Sequence, residues 1–426
     1  MFISTAAPDG PVGRQLTWFL RAVADLPWSQ QLIQAHFDSG FLAQIGPAEI
    51  NAVLAQAPAP AGASLIRLLW QDQARDPVSL QAVAAFGSVM VTVNVTVNGA
   101  GLISYLLLTP YQPPPATWAQ ADRDLAGLAP HASLLAARVS PDGVCTPVHQ
   151  VAASTARPLG SMFKLFVLGG LAGQVAAGRV SWDQELTVSD MLRSAGNSGA
   201  GGLQDVPAGT RVSVEQTAAQ MISMSDNTAA DLLIHLVGRP AVQAQDRQWS
   251  DHVALNVPFL TTREFFLLKY ADPALADQYL RLAPAQRAAY LASAVDPLPL
   301  SQAQLPSADT ASPVGIDTIE WFASPDDICR ALAGLQQLAA QPGLAPLGPI
   351  LSANSGGIGL HPAKWPTVWY KGGSEPGVLT LGYLATNSNG QTFVVVAMLS
   401  DPAAALVPSA VLGLLAIVQG AFELVR

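Results

Sequence analysis

The feature that most restricts the fold of this chain is where its strand-like and helix-like segments fall after residue 116. Residues 133–139 and 144–151, joined by the turn tripeptide Pro141-Asp142-Gly143, read as a hairpin. Three further strand-like runs come near the end, at 367–371, 378–385 and 392–399, the last two separated by the turn sequence Asn387-Ser388-Asn389-Gly390. Between these sets, apolar residues recur at helical spacing. Strands early and late around a helical interior fit one antiparallel sheet flanked by helices. The apolar run 403–422 is interrupted by Pro408, Ser409, Gly413, Gln419 and Gly420, so a helix packed across that sheet is expected rather than a membrane span.

The first part of the chain has its own pattern. Helical stretches are expected near 13–24, 29–37 and 47–57. Val91, Val93, Val95 and Val97 then alternate with Thr92, Asn94, Thr96 and Asn98, the period of a half-buried strand, and Asn98-Gly99 turns the chain toward 102–108. Pro110 and Pro113-Pro114-Pro115 make a stiff linker. The expected organisation is therefore α+β throughout, with a small accessory domain at 1–115 and a larger domain at 116–426.

Composition excludes more than it selects. Half the residues are apolar and only 12% are charged, which suits compact cores rather than disorder. The net charge of −9, with no basic run, argues against a nucleic-acid partner. Cys145 and Cys329 lie far apart without a C-x-x-C spacing, so no disulfide is expected. The six histidines form no metal-binding spacing, and the glycines of 196–202 read as a flexible loop rather than a phosphate cradle. No metal or cofactor is implied. Residues 1–5 lack the basic start of a secretory leader, which reads as cytoplasmic as encoded, or as secreted or cell-envelope if a leader was removed. A monomer acting on a small molecule is expected, with no transmembrane segment.

The chemistry enters at Ser161-Met162-Phe163-Lys164. A serine three residues before a lysine on one helix puts nucleophile and base on the same face. Pro158 and Gly160 break the preceding segment, and Phe163, Phe166, Val167 and Leu171 recur at helical spacing. Ser161 should thus sit at a helix N-terminus, where free N–H groups favour developing negative charge. Lys164 can act as a base only if burial or a second cation strips its proton near neutral pH. Alone this spacing is common by chance. Two more motifs follow in order: Ser225-Asp226-Asn227, between helical stretches at 213–224 and 228–237, and Lys371-Gly372-Gly373-Ser374, at the end of a strand-like run. A capping box of Ser213 and Gln216 is expected to open the first of those helices.

With all three motifs in order, residues from about 124 to 426 resemble the serine β-lactamase and penicillin-binding superfamily, class A β-lactamases in motif arrangement. Further segments resemble the esterase-like serine hydrolases related to the clavulanic acid pathway: Pro158-Leu159-Gly160-Ser161, Phe259-Leu260-Thr261-Thr262-Arg263-Glu264, Glu320-Trp321-Phe322-Ala323-Ser324-Pro325 and Lys371 to Gly377. That group carries a small ketosteroid-isomerase-like or cystatin-like domain ahead of a β-lactamase/transpeptidase-like one. The resemblance implies Ser161 as acylated nucleophile, Lys164 as its base and Ser225 as proton shuttle. It implies Asn227 as a positioning residue and Lys371 as a source of positive potential. The N–H groups of Ser161 and Ser374 would form an oxyanion hole, with Gly373 leaving room beside them.

Two departures shape the functional expectation. The family's deacylating glutamate is missing, since no Glu lies between Asn227 and Thr262, and the nearest spelling of its loop offers His252. Of the acids there, Asp231, Asp246 and Asp251, the first reads as structural because it falls in an apolar helix pattern. Gly372 also stands where the family carries a hydroxyl residue. Residues 271–313 look like an insertion relative to compact class A enzymes, either a lid or an extra packing layer. An esterase acting on small acyl or β-lactam-like esters, with poor β-lactam turnover, is the leading expectation. An efficient β-lactamase, a D,D-peptidase-like enzyme and a β-lactam-binding sensor are the alternatives.

Overall fold

The computed structural model describes residues 7–425 apart from 57, 58, 60, 73–77, 197–200 and 307–310. The residues read above for a leader, and most of the glycine-rich stretch 196–202, therefore lie outside the described residues. The chain divides into two compact units, Met1–Pro113 with Gly359–Lys364, and Pro114–Ile358 with Trp365–Arg426. Nothing in the sequence marks 359–364 as a return to the first unit.

In the first unit, helices at Pro11–Ala22, Gln30–His36, Ser39–Gln44 and Pro47–Leu54 precede a four-stranded antiparallel meander, Ser64–Asp72, Val78–Phe86, Val89–Val97 and Ile103–Pro110. The valines of Val89–Val97 are buried from Val91 onward while Thr92, Asn94 and Thr96 are half-buried, as their alternation requires. Val78–Phe86 was not legible as a strand, because it is buried on both sides over most of its length and so has no alternation to read. Phe19, Trp28, Phe37, Val93 and Ile103 fill the core, and each large apolar side chain buried this way is worth roughly 1.5–3 kcal/mol. Trp28 also satisfies its indole N–H on the Ala22 carbonyl at 2.7 Å.

The second unit is built on a five-stranded antiparallel sheet in the order Thr367–Glu375, Val378–Thr386, Thr392–Ser400, His131–Val139, Cys145–Val151. The late and early strands meet directly, with Thr392 opposite Val139 and Ser400 opposite His131. Leu135, Ala137, Val394, Val396 and Met398 face the main helical core. Leu134, Ala136, Val395, Ala397 and Tyr383 are equally buried, and Tyr383 meets Phe422 of the helix Pro408–Leu424. Both faces of the sheet are covered, which is why its central strands read as unbroken apolar runs. Among the described residues no helix is long and apolar enough to cross a membrane.

One finding revises the sequence reading and a second bears on an alternative it left open. Cys145 and Cys329 form a disulfide across 184 residues of sequence, with Cα atoms 6.4 Å apart. Cys145 opens the edge strand, and the buried Cys329 lies on the helix Pro325–Ala339 that packs on the sheet. Spacing along the chain carried no sign of this contact. The segment 271–313 serves in part as a packing layer: its helices Pro273–Arg281 and Pro284–Tyr290 and the π-turn Leu291–Val295 bury Tyr279, Leu291 and Val295 in the main core.

Candidate active site

Ser161 sits in a 3₁₀ turn, Gly160–Phe163, that runs directly into the helix Lys164–Ala176. Gly160 takes φ +50°, a left-handed conformation that suits glycine, and a Cβ there would meet the Ser374 backbone nitrogen at 2.8 Å. Phe163 stacks on Trp321 with ring centroids 3.8 Å apart, anchoring the turn on an apolar floor.

Lys164 is fully buried and its Nζ touches four oxygens: Ser225 O at 2.6 Å, Asn227 Oδ1 at 2.6 Å, Ser161 Oγ at 3.0 Å and Ser225 Oγ at 3.2 Å. Burial, and secondarily the nearby Lys371 ammonium, hold its pKa well below the ordinary lysine value. A neutral amine has two N–H donors and one lone pair. The two carbonyl oxygens can only accept, and at 2.6 Å they take the two N–H groups. The lone pair is then left for a hydroxyl, and the Ser161 O–H can donate to it.

The Ser225-Asp226-Asn227 segment joins the helix Val214–Ser223 to Asn227–Val237. The expected capping box opens the first of these, with Gln216 N on Ser213 Oγ at 3.1 Å and Ser213 N on Gln216 Oε1 at 3.2 Å. Ser225 adopts φ +58°, a strained setting for a side-chain-bearing residue, of the kind that clusters at functional sites. Asp226 caps the second helix, accepting from Ala229 N at 2.8 Å and from Leu203 N at 2.5 Å. Asn227 is oriented by its Nδ2 donating to Ala195 O at 2.7 Å. From the other side Lys371 Nζ donates to Ser225 Oγ at 3.0 Å and to Gly372 O at 2.7 Å, and burial lowers its pKa to about 7.

The strand Thr367–Glu375 carries the third motif against the serine turn. A Cβ on Gly373 would meet Leu159 O at 2.1 Å and Ser161 N at 2.5 Å, so the two backbones touch with no space for a side chain. Ser161 and Ser374 face one cavity of about 910 Å³, also lined by Ser225, Asn227, Lys371 and Gly373. Its apolar walls include Phe265, Phe266 and Leu379, with Leu305, Pro306 and Ala311 from the 271–313 segment. All eight residues singled out by the sequence can thus be located, and seven converge. His252 does not: its Nδ1 lies 2.7 Å from Asp327 Oδ2, away from the cavity lining.

The acids of the loop region are also occupied elsewhere. Asp231 accepts from Thr262 N at 2.7 Å and Arg263 N at 2.8 Å, capping the helix Thr262–Tyr270, and burial raises its pKa to about 7. Asp246 accepts from Asn256 at 3.0 Å, and Asp251 from Arg330 at 2.7 Å. Four residues escaped sequence reasoning. Tyr370 lines the cavity, and a Cβ on Gly372 would meet its phenol oxygen at 2.2 Å, so that hydroxyl fills the space the glycine leaves. The buried Glu320 and Lys269 and the half-buried Glu375 form a cluster beside the serine turn. Glu375 follows the third motif immediately and Glu320 opens one of the segments that carry the resemblance, which are signals; Lys269 carried none. Among the described residues no group of three His, Cys, Asp or Glu side chains could hold a metal ion.

Residues 146–269 match the β-lactamase enzyme family, a span that includes Ser161, Lys164, Ser225 and Asn227. Residues 7–64 match the family described as ORF 12 gene product N-terminal. No curated protein matches the chain. Solved structures similar to it include a β-lactamase from Chitinophaga pinensis, 18% identical over 71% of this chain and 97% of that one, with a TM-score of 0.47. Another is the putative class A β-lactamase PenP from Rhodopseudomonas palustris, 17% identical over 72% and 98%, with a TM-score of 0.48. At these scores the likenesses carry no argument of their own. The second unit has the β-lactamase/transpeptidase-like fold, an antiparallel sheet flanked by helices. The family match supports the serine β-lactamase superfamily and, with it, a hydrolase acting through an acyl-enzyme.

Proposed function

We propose that this protein is a serine esterase of β-lactamase-like build, acting on β-lactam-like or small acyl esters and turning β-lactams over poorly. Ser161 Oγ attacks the ester carbonyl carbon while its proton passes to the lone pair of Lys164 Nζ. The resulting oxyanion is met by the N–H groups of Ser161 and Ser374, donors already fixed by the backbone contact at Gly160 and Gly373. Ser225 Oγ, between Lys164 and Lys371, returns the proton to the departing alkoxide as the C–O bond breaks. Asn227 keeps Lys164 oriented, and Lys371 supplies positive potential near the leaving group. The first unit is read as a supporting domain without chemistry of its own.

The observation that carries this reading is the set of four oxygens around the buried Lys164: burial and Lys371 favour the neutral amine, and the two carbonyl oxygens take its N–H groups, aiming its lone pair at one hydroxyl. Slow β-lactam turnover is inferred from the acids: Asp231, Asp246 and Asp251 are engaged away from the cavity, while Glu375, which lines it, is held by Lys269. Among the described residues such an acyl-enzyme has no free carboxylate to activate water, and a small acyl group is hydrolysed with Lys164 or Ser225 as the base. Intact-mass spectra after mixing with a penicillin and, separately, with an acetyl ester test the reading. A persistent penicilloyl adduct on Ser161 and a fleeting acetyl adduct are expected. Fast penicillin hydrolysis with no adduct would identify a working β-lactamase instead.

A further inference from the structure

The cluster beside the serine turn has a geometry that the proposed acyl transfer does not yet use. Glu320 is buried, with Oε1 accepting the Gly160 N–H at 2.7 Å and Oε2 the Trp321 N–H at 2.7 Å. Gly160 is the residue before the nucleophile. Glu375, the residue after Ser374, accepts from Lys269 Nζ through both oxygens, at 2.8 and 2.6 Å. The Glu375 carboxylate lies near enough to Glu320 to raise its pKa, and Lys269 near enough to oppose that rise. The acid that holds the peptide before Ser161 therefore sits in the field of the ion pair at the strand end after Ser374.

Two acids that repel each other in a site with little water favour holding one proton between them. Burial, and then the Glu375 carboxylate, push Glu320 up to about 8, consistent with that proton residing on Glu320 near neutral pH. With it the cluster of two acids and Lys269 is neutral. Without it the cluster would carry a negative charge next to the place where an oxyanion forms, and would oppose the reaction. The backbone between the two glycines has no slack, since a Cβ at either one would collide with the opposite strand.

Resting on the reading of Ser161 as nucleophile, we propose that Glu320, set beside the Glu375–Lys269 ion pair, is a positioning residue that holds the Ser161 and Ser374 N–H groups at the spacing one oxyanion needs. It touches no substrate and acts through Gly160. Its loss should therefore lower the rate of the chemical step without weakening substrate binding. A misplacement of about 1 Å can cost on the order of 100-fold in rate. Glutamine in its place is neutral and can still accept from Gly160 through its amide oxygen.

The test uses the full chain with p-nitrophenyl acetate, reading kcat and KM separately, with melting temperature as a check on folding. Glu320→Ala should lower kcat on the order of 10- to 100-fold with KM little changed, and Glu320→Gln should recover most of that loss. Lys269→Met approaches the cluster from its other end and should also lower kcat with KM unmoved, which keeps the test open if the alanine variant does not fold. Wild-type kcat in Glu320→Ala or in Lys269→Met would overturn the proposal, as would a Glu320→Gln variant no better than alanine. Failure of the wild-type protein to be labelled on Ser161 by a fluorophosphonate would instead sink the nucleophile assignment, so the two failures are distinguishable.

Discussion

Lys164 and Ser225 should behave as one unit, and a double-mutant cycle measures this. Lys164→Ala removes the side chain whose lone pair can face Ser161 Oγ at 3.0 Å, and loss of a general base typically costs 10²–10⁴-fold, or roughly 3–5 kcal/mol of barrier. Ser225→Ala removes the hydroxyl lying 3.2 Å from Lys164 Nζ and 3.0 Å from Lys371 Nζ, and should cost on the order of 100-fold alone. Independent losses would multiply to about 10⁴–10⁶-fold. In a shared relay, once Lys164 is gone Ser225 has no proton to pass, so the double variant should lie within about tenfold of Lys164→Ala. The assay is single-turnover acylation by p-nitrophenyl acetate in stopped flow. Lys164→Ala also strips donors from Asn227 Oδ1 and Ser225 O, at about 1–3 kcal/mol for each buried acceptor left unpaired, so melting curves must accompany the rates. Multiplication of the two losses in folded variants would refute a common proton path.

Four other outcomes follow from the same geometry. Reducing Cys145–Cys329, or replacing Cys329 by Ser, releases a loop of 184 residues, for which chain entropy gives a loss of about 5 kcal/mol; a urea midpoint unmoved by dithiothreitol would show that the bond contributes nothing. Tyr370→Phe removes a hydroxyl that fills the space over Gly372, and should raise KM for carboxylate-bearing substrates several-fold while leaving acetyl esters alike; equal effects on both would place the phenol outside substrate recognition. Lys371 is held near 7 in the folded chain against 10.5 unfolded, so its contribution to stability is present above pH 10.5 and is lost as pH falls toward 7, by about 1.4 kcal/mol per unit; Lys371→Met should show a slope smaller by that amount in denaturation series between pH 10 and 7, with the depressed Lys164 still adding its own. A chromogenic cephalosporin should give a burst of one equivalent followed by slow release, and a linear trace from the first turnover would contradict limiting deacylation.

What could be read from the sequence was chemistry set by short spacing. Helix geometry fixes Ser161 and Lys164 on one face three residues apart, a capping box fixes the start of Val214–Ser223, and turn residues fix the hairpins. The strands at both ends of a helical block implied their meeting, and Thr392–Ser400 does pair with His131–Val139. Tertiary structure alone decided the contacts whose partners lie far apart in the chain. It brought Cys145 to Cys329, sent His252 to Asp327, and joined Glu320 to Gly160 across 160 residues. It also put the Tyr370 phenol where Gly372 has no side chain. Each of these depends on how helices pack on a sheet, and packing is a property of the whole core: no local spacing encodes which buried acid will find which peptide N–H.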